Sequence, residues 1–209
     1  MIQSKADLKY YLEQDRIALY KKTKKPRLAG DEIWKYEILL RKTEYFMNCK
    51  KSPLGKIIAV WYHYRLRKRG RKLCGFHIPP NAFEEGLSIA HWGPIVVHPS
   101  AKIGKNCRIH QSVTIGATNG QTQAAVIGDN VFIGPCSSII GDITIADDIA
   151  IGAGSVVTKS FTDSGITIAG VPAKKISDNN SHSNLAPGLG LSSGIKASTE
   201  TGSDNNETA

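Results

Sequence analysis

Imidazole is the side chain that takes and returns protons near neutral pH. This sequence has six of them, at His63, His77, His91, His98, His110 and His182. None sits in a spacing that suggests zinc, and the four cysteines, at 49, 74, 107 and 136, are scattered without paired spacing. That pattern argues against a zinc knuckle or a disulfide framework and for a reducing compartment. His63 lies in a basic stretch, His77 precedes Ile78-Pro79-Pro80, and His182 falls among Asn and Ser. His91, His98 and His110 remain, and their surroundings decide which of them is placed to act on a substrate.

Those surroundings are periodic. From Ile103 to Val157 an aliphatic residue returns every sixth position: Ile103, Ile109 and Ile115, then Ile127, Ile133, Ile139, Ile145, Ile151 and Val157. Six is neither a helix period nor a simple strand alternation, but it is even, so the aliphatics stay on one face of short strands. Gly follows the aliphatic at Gly104, Gly116, Gly128, Gly134 and Gly152, which suits a tight turn. The reading is a three-sided coil of short parallel strands, one hexad per side, around a stacked Ile/Val core. No coil buries its apolar face alone; stacked coils do so together.

Phase then separates the three histidines. Ile89 to Val97 is eight residues, so two extra residues are spliced into Ala90-His91-Trp92-Gly93-Pro94. In this frame Ile89 belongs to the core and His91 leaves it, which avoids a costly unpartnered buried imidazole. Ile89, Val97 and Ile103 are the three sides of one coil, and Ile109 returns to the side of Ile89. His110 therefore stands on the side of His91 one coil up, and His98 on another. His91, at the insertion beside Gly93, is the candidate base or else a hydrogen-bonded structural imidazole; His110 is its partner in the site or else an exposed turn histidine. A second irregularity, Thr118 to Ala125, keeps phase but puts Gln121 where an aliphatic is due. It predicts a polar loop leaving the coil.

These hexads resemble the hexapeptide-repeat acyltransferases, whose fold is a left-handed parallel β-helix. Ala169-Gly170-Val171-Pro172-Ala173-Lys174 resembles the block that closes it. Within that family the chain is similar to serine acetyltransferase at His91-Trp92-Gly93-Pro94-Ile95-Val96-Val97, Gln111-Ser112-Val113-Thr114-Ile115-Gly116 and Ile151-Gly152-Ala153-Gly154-Ser155-Val156-Val157. The resemblance implies acetyl transfer from acetyl-CoA to a hydroxyl, without metal. It makes His91 the general base; His110, which the repeat phase puts on the same side one coil up, is then placed to orient the acceptor or to help bind the thioester oxygen. It implies coenzyme contacts at Gly116, Ala117 and Thr118, at the turns of Gly134, Ala153 and Ser155, and at Lys174. It also implies a homotrimer with active sites between β-helices.

The sequence departs from that pattern in three places. Ala90 stands where the family carries an Asp directly before its catalytic His. Phe76 stands near the family's other acid, and Gln121 to Ala125 hold neither the Arg nor the His that contact an amino-acid acceptor. Glu84 and Glu85 are candidates to replace the missing carboxylate. A sugar hydroxyl, as in surface-polysaccharide synthesis, is therefore kept beside serine. A γ-type carbonic anhydrase lacks its three-histidine zinc set here, and a scaffold without catalysis has no use for an expelled imidazole.

The rest of the chain must position this coil. The expected organisation is a helical segment at 1–75, the β-helix at 76–176 and a disordered polar tail at 177–209. Ser4 and Ser52 resemble helix caps, and helices are expected from Ser4 to about Lys22, Asp31 to about Cys49 and Ser52 to near Gly70. The second carries apolar residues on more than one face, so it is expected to be sandwiched. The chain is 41% hydrophobic and 22% charged, with formal net charge +9. Residues 1–75 hold 20 of the 27 Lys/Arg and 7 of the 18 Asp/Glu, so the basic character belongs to the helices. It reads first as a solvated face; a membrane surface, an acidic polymer or coenzyme A are the sharper readings. No apolar run is long enough to span a membrane and no secretory leader is evident, so a cytoplasmic protein that does not bind nucleic acid is expected.

Overall fold

The computed structural model describes residues 1–73, 75–118 and 120–189. Three helices come first: α1 (Lys5–Ala18), α2 (Glu32–Cys49) and α3 (Pro53–Lys72). Ser4 and Ser52 cap α1 and α3 through hydrogen bonds from the backbone N–H groups of Asp7 and Gly55, as the sequence predicts. Helix α1 stops four residues earlier than expected. Tyr20 adopts a left-handed conformation, and the N–H groups of Tyr20 and Lys21 return to the carbonyls of Ile17 and Arg16. Helix α2 is packed between α1 and α3, consistent with its apolar pattern.

Fourteen short strands follow among the described residues: β1 (Phe76–His77), β2 (Ser88–Ile89), β3 (Ile95–Val97), β4 (Lys102–Ile103), β5 (Arg108–Ile109), β6 (Val113–Gly116), β7 (Val126–Ile127), β8 (Phe132–Ile133), β9 (Ser138–Ile140), β10 (Thr144–Ile145), β11 (Ala150–Ile151), β12 (Val156–Val157), β13 (Thr167–Gly170) and β14 (Ala173–Ser177). They form three sheets, parallel but for the closing hairpin: β1-β3-β6-β9-β12, β4-β7-β10 and β2-β5-β8-β11-β13-β14. This is the left-handed β-helix with a helical N-terminal segment, and the register is the one the hexads predict. Ile89 pairs with Ile109 and Ile109 with Ile133; Val97 pairs with Ile115; Ile103 pairs with Ile127. All of these aliphatics are buried in one continuous core.

The ends of the repeat differ from the sequence reading. Phe161, not an aliphatic residue, bridges to Ile145 and fills the last position of the second sheet. Val171 is exposed at the β13–β14 turn rather than in the core; Ile166 and Ile168 are buried as expected. The β14 strand pairs antiparallel with β13 and covers the last coil. The stretch from Ser177 is not wholly without structure. Ser181 donates to the Asn130 carbonyl, and His182 Nε2 lies 2.7 Å from Asp148 Oδ1. Leu185, Ala186 and Leu189 then bury against Ala18 and Ile17 of α1. Sparse apolar residues suffice there because α1 offers a complementary face. The remainder of the expected tail, 190–209, lies outside the described residues, as do Cys74 and Asn119.

The first coil has no coil beneath it, so its strand edge needs other partners. Ser88 and Ala90 donate upward to the Cys107 and Ile109 carbonyls, whereas the Ile89 N–H faces the open edge and donates to Glu37 at 2.9 Å. Asp15 accepts from the N–H groups of Gly86 and Leu87, and Glu44 from that of Asn81. Arg41, fully buried, donates to Asp15, to Glu44 and to the carbonyls of Phe83 and Glu84. Side chains of α1 and α2 thus satisfy the edge of the coil that leads directly into His91.

Candidate active site

The segment Ala90–Pro94 turns the corner between the third sheet and the first. His91 and Trp92 are exposed there, while Ile89 is in the core, as the two-residue insertion requires. Gly93 is obligatory at this corner. Its φ is +138°, and a Cβ would stand 2.8 Å from the Cβ of Gln111 in the coil above. His110 follows β5 on the same face. The rings of His91 and His110 meet edge to face with centroids 5.4 Å apart, and His110 in turn meets Phe132 at 5.1 Å. The structure thus brings together the two histidines that the repeat phase aligned.

Partial burial, then the Arg108 charge and then His91, hold the His110 imidazole below its ordinary value. His110 therefore stays neutral at neutral pH. The unfolded chain binds a proton near the ordinary value of about 6.5, where the folded chain does not. Stability is expected to fall as pH drops below that value, until His110 also protonates in the folded state. Arg108→Gln is expected to move the His110 titration upward in an NMR pH series. An unchanged titration would remove Arg108 as a cause.

Several expected site residues lie elsewhere. Glu84 accepts from the Met1 amino group at 2.5 Å and from the Tyr11 hydroxyl, and Glu85 pairs with Lys105 at 3.4 Å. Both follow Phe83, a second-sheet position, and so sit one corner away from His91; neither serves as its missing carboxylate. Gly116 ends β6 of the first sheet and Ala117 and Thr118 follow it, whereas Gly134, Ala153 and Ser155 follow strands of the third. They do not line one corner of a single chain. Ser155 is buried and donates its hydroxyl to the Gly152 carbonyl at 2.6 Å, so it offers nothing outward. Gly134 is accounted for by stacking, since a Cβ would stand 2.7 Å from the Ala153 nitrogen. Ala153 is exposed on the His91 corner, and Lys174 is exposed on β14. The loop at Gly120–Gln123 is exposed as expected.

Two neighbours of the histidine pair escaped the sequence reading. Arg108 sits two residues before His110 on the same outward face and donates to Ser88 Oγ at 2.9 Å, with its guanidinium 5.4 Å from the Tyr20 ring centroid. It has no carboxylate partner among the described residues. With Tyr20, Ser88, Ala90 and Trp92 it lines a cavity of about 320 Å³ beside the corner. The acids on that cavity are already paired: Asp31 with Lys21 and Arg27, Glu32 with Lys35 and Arg69. Gln111 has a buried Oε1 without a partner among the described residues, directly over Gly93. The only signal for Arg108 was a charge at an outward hexad position, which is the usual place for a charge.

Among the described residues no group of three or more His, Cys, Asp or Glu is placed to hold a metal ion. A family model described as bacterial transferase hexapeptide (six repeats) matches residues 124–159. The serine acetyltransferase of Staphylococcus aureus is 36% identical over 170 residues, spanning 79% of this chain and 74% of that one. This chain belongs to the serine acetyltransferase family. The serine acetyltransferase of Synechococcus elongatus is 35% identical over 109 residues, and the match covers 51% of this chain and 44% of the relative. The chain thus spans about half the length of several curated family members. Among solved family structures, serine acetyltransferase from Brucella abortus superposes with TM-score 0.66 at 26% identity, covering 85% of this chain and 72% of that one. The Neisseria gonorrhoeae enzyme in complex with serine gives 0.60 at 29%, covering 83% and 71%.

Proposed function

We propose that this protein transfers the acetyl group of acetyl-CoA to the hydroxyl of a small acceptor, with His91 as general base. The observation that carries the reading is His91 itself. It is expelled from the repeat at a glycine-dependent corner and backed by the ring of a neutral His110. As the acceptor oxygen attacks the thioester carbonyl, His91 takes the hydroxyl proton. When the tetrahedral intermediate collapses, the C–S bond breaks and the imidazolium returns that proton to the coenzyme A sulfur. His110, neutral, orients the acceptor or donates to the oxyanion. Relatives named as serine acetyltransferases, one solved with serine and another with coenzyme A, support serine and acetyl-CoA as the substrates.

One observation favours a second acceptor class. Serine brings an ammonium group, and the acids lining the cavity beside His91 are already paired, with Ala90 where the family has an Asp. A sugar hydroxyl makes no such demand. Arg108 is the candidate cation for an acceptor carboxylate, whether that of serine or of an acidic sugar.

The proposed assembly is a trimer, with His91 of one chain facing the Gly116–Thr118 turn of the next. The placement of these residues on different corners of one chain is what that arrangement requires. Thiol release from acetyl-CoA, measured with serine and with a panel of neutral and acidic sugars, tests the reading. Acceptor-dependent release is the expected outcome; none with any hydroxyl compound would remove it. Sedimentation that finds only monomer at micromolar concentration would remove the trimer.

A further inference from the structure

Helix α3 buries Gly55, Leu66 and Gly70 against the protein and turns the opposite face to solvent. That face is apolar along its N-terminal half: Leu54 is 67% exposed, Ile57 66%, Val60 71%, Trp61 49% and Tyr64 58%. Exposed apolar residues are normally scattered singly; a contiguous stripe on one helix marks an interaction surface. Met47 of α2 adjoins the stripe, and a shallow cavity of about 480 Å³ runs between Met47, Val60, Tyr64, Arg67 and Arg71.

The charge on α3 says what covers it. The helix has no Asp or Glu. Its C-terminal half carries Arg65, Arg67, Lys68, Arg69, Arg71 and Lys72; among the described residues only Arg69 has a carboxylate partner, Glu32, and the Arg65 guanidinium lies over the Trp61 ring. A second copy seated face to face on α3 would set these cations against each other with no acid on the helix to relieve them. An anionic bilayer surface satisfies both halves. The aliphatic stripe enters the acyl boundary, Trp61 and Tyr64 take the interfacial depth, and the basic half meets lipid phosphates. No helix among the described residues is long and apolar enough to cross a membrane, so the helix lies on the surface.

We propose that α3 docks this protein onto an anionic lipid membrane. The docking does not depend on the acetyl-transfer reading. It also holds a defined end of the molecule near the bilayer. Helix α3 packs on β1, and β1 pairs with β3, the strand that begins just past the His91 corner.

Flotation of the full chain with vesicles tests this. Binding is expected to phosphatidylcholine vesicles containing phosphatidylglycerol and not to phosphatidylcholine alone, and to weaken in high salt. The double variant Ile57→Glu/Val60→Glu changes two of the most exposed side chains of the stripe; Lys68→Glu/Arg71→Glu reverses two cations. Each is expected to lower the bound fraction at least about tenfold with the circular dichroism and melting curve unchanged. Failure of the parent chain to float with either vesicle overturns the proposal. So does retention of binding by Ile57→Glu/Val60→Glu alongside loss in the charge variant, which would mean attraction without insertion. A smaller oligomer in Ile57→Glu/Val60→Glu than in the parent, by sedimentation velocity, would show a second copy on this face and would overturn it as well.

Discussion

His91→Ala is expected to lower kcat by roughly 10²–10⁴-fold, the usual contribution of a positioned general base. Coenzyme A affinity should change little, because its expected contacts, the Gly116–Thr118 turn foremost, are made by residues other than His91. His91→Asn should be almost as damaging, since an amide forms a hydrogen bond but cannot take the proton. His110→Ala should cost less, and mainly in acceptor KM if the ring positions the alcohol. The two rings touch, so the effects of the two substitutions should not be additive. Near-normal turnover in His91→Ala would overturn the base assignment. The same loss appearing in His110→Ala instead would exchange the two roles.

The sequence made this pair legible because the hexad fixes phase. With one inward residue per side, a two-residue surplus between Ile89 and Val97 has to bulge outward, and the bulge contains His91. Counting three hexads per coil then places His110 above it. The same rule fails where the repeat ends. Phe161 fills a core position that the aliphatic count did not foresee, and Val171, apolar, sits exposed at a hairpin turn. The corner identities were also only half readable. A glycine after an aliphatic residue looks the same whether it makes room for a ligand or for the next coil; Gly134 is of the second kind.

Charges were the least legible feature. Asp15, Glu37, Arg41 and Glu44 carry no mark of their role in the sequence, because a charge in a helix is solvated unless tertiary structure supplies it with partners. Here the partners are backbone groups of the first coil, more than thirty residues away in sequence. Arg108 was passed over for the same reason. Its meaning lies in the absence of a carboxylate beside it, which spacing does not reveal.

Arg41→Ala is expected to destabilise the fold by about 3–5 kcal/mol, the range for removing one partner of a buried charge cluster. The guanidinium donates to Asp15 at 2.7 Å, to Glu44 at 3.0 Å and to two first-coil carbonyls, at 2.8 Å and 2.6 Å, so its loss leaves four acceptors short of a donor. Burial pushes the Asp15 and Glu44 carboxyls up, and Arg41 draws both back down. Burial and then the Asp15 charge also push the Glu37 carboxyl well above its ordinary value. Without Arg41, Asp15 and Glu44 would have to protonate or remain buried and ionised. A carboxyl whose folded pKa is raised loses stability as pH rises above its unfolded value. The deficit of Arg41→Ala relative to the parent should therefore be larger at pH 8 than at pH 4, as read by urea denaturation at both. Exchange of the Gly86 and Leu87 amides should accelerate at the same time, because Asp15 would no longer be held against them. A loss below about 1 kcal/mol, or a deficit that grew on acidification, would mean that Arg41 does not hold the first coil, and that the His91 corner takes its shape from the coils above it alone.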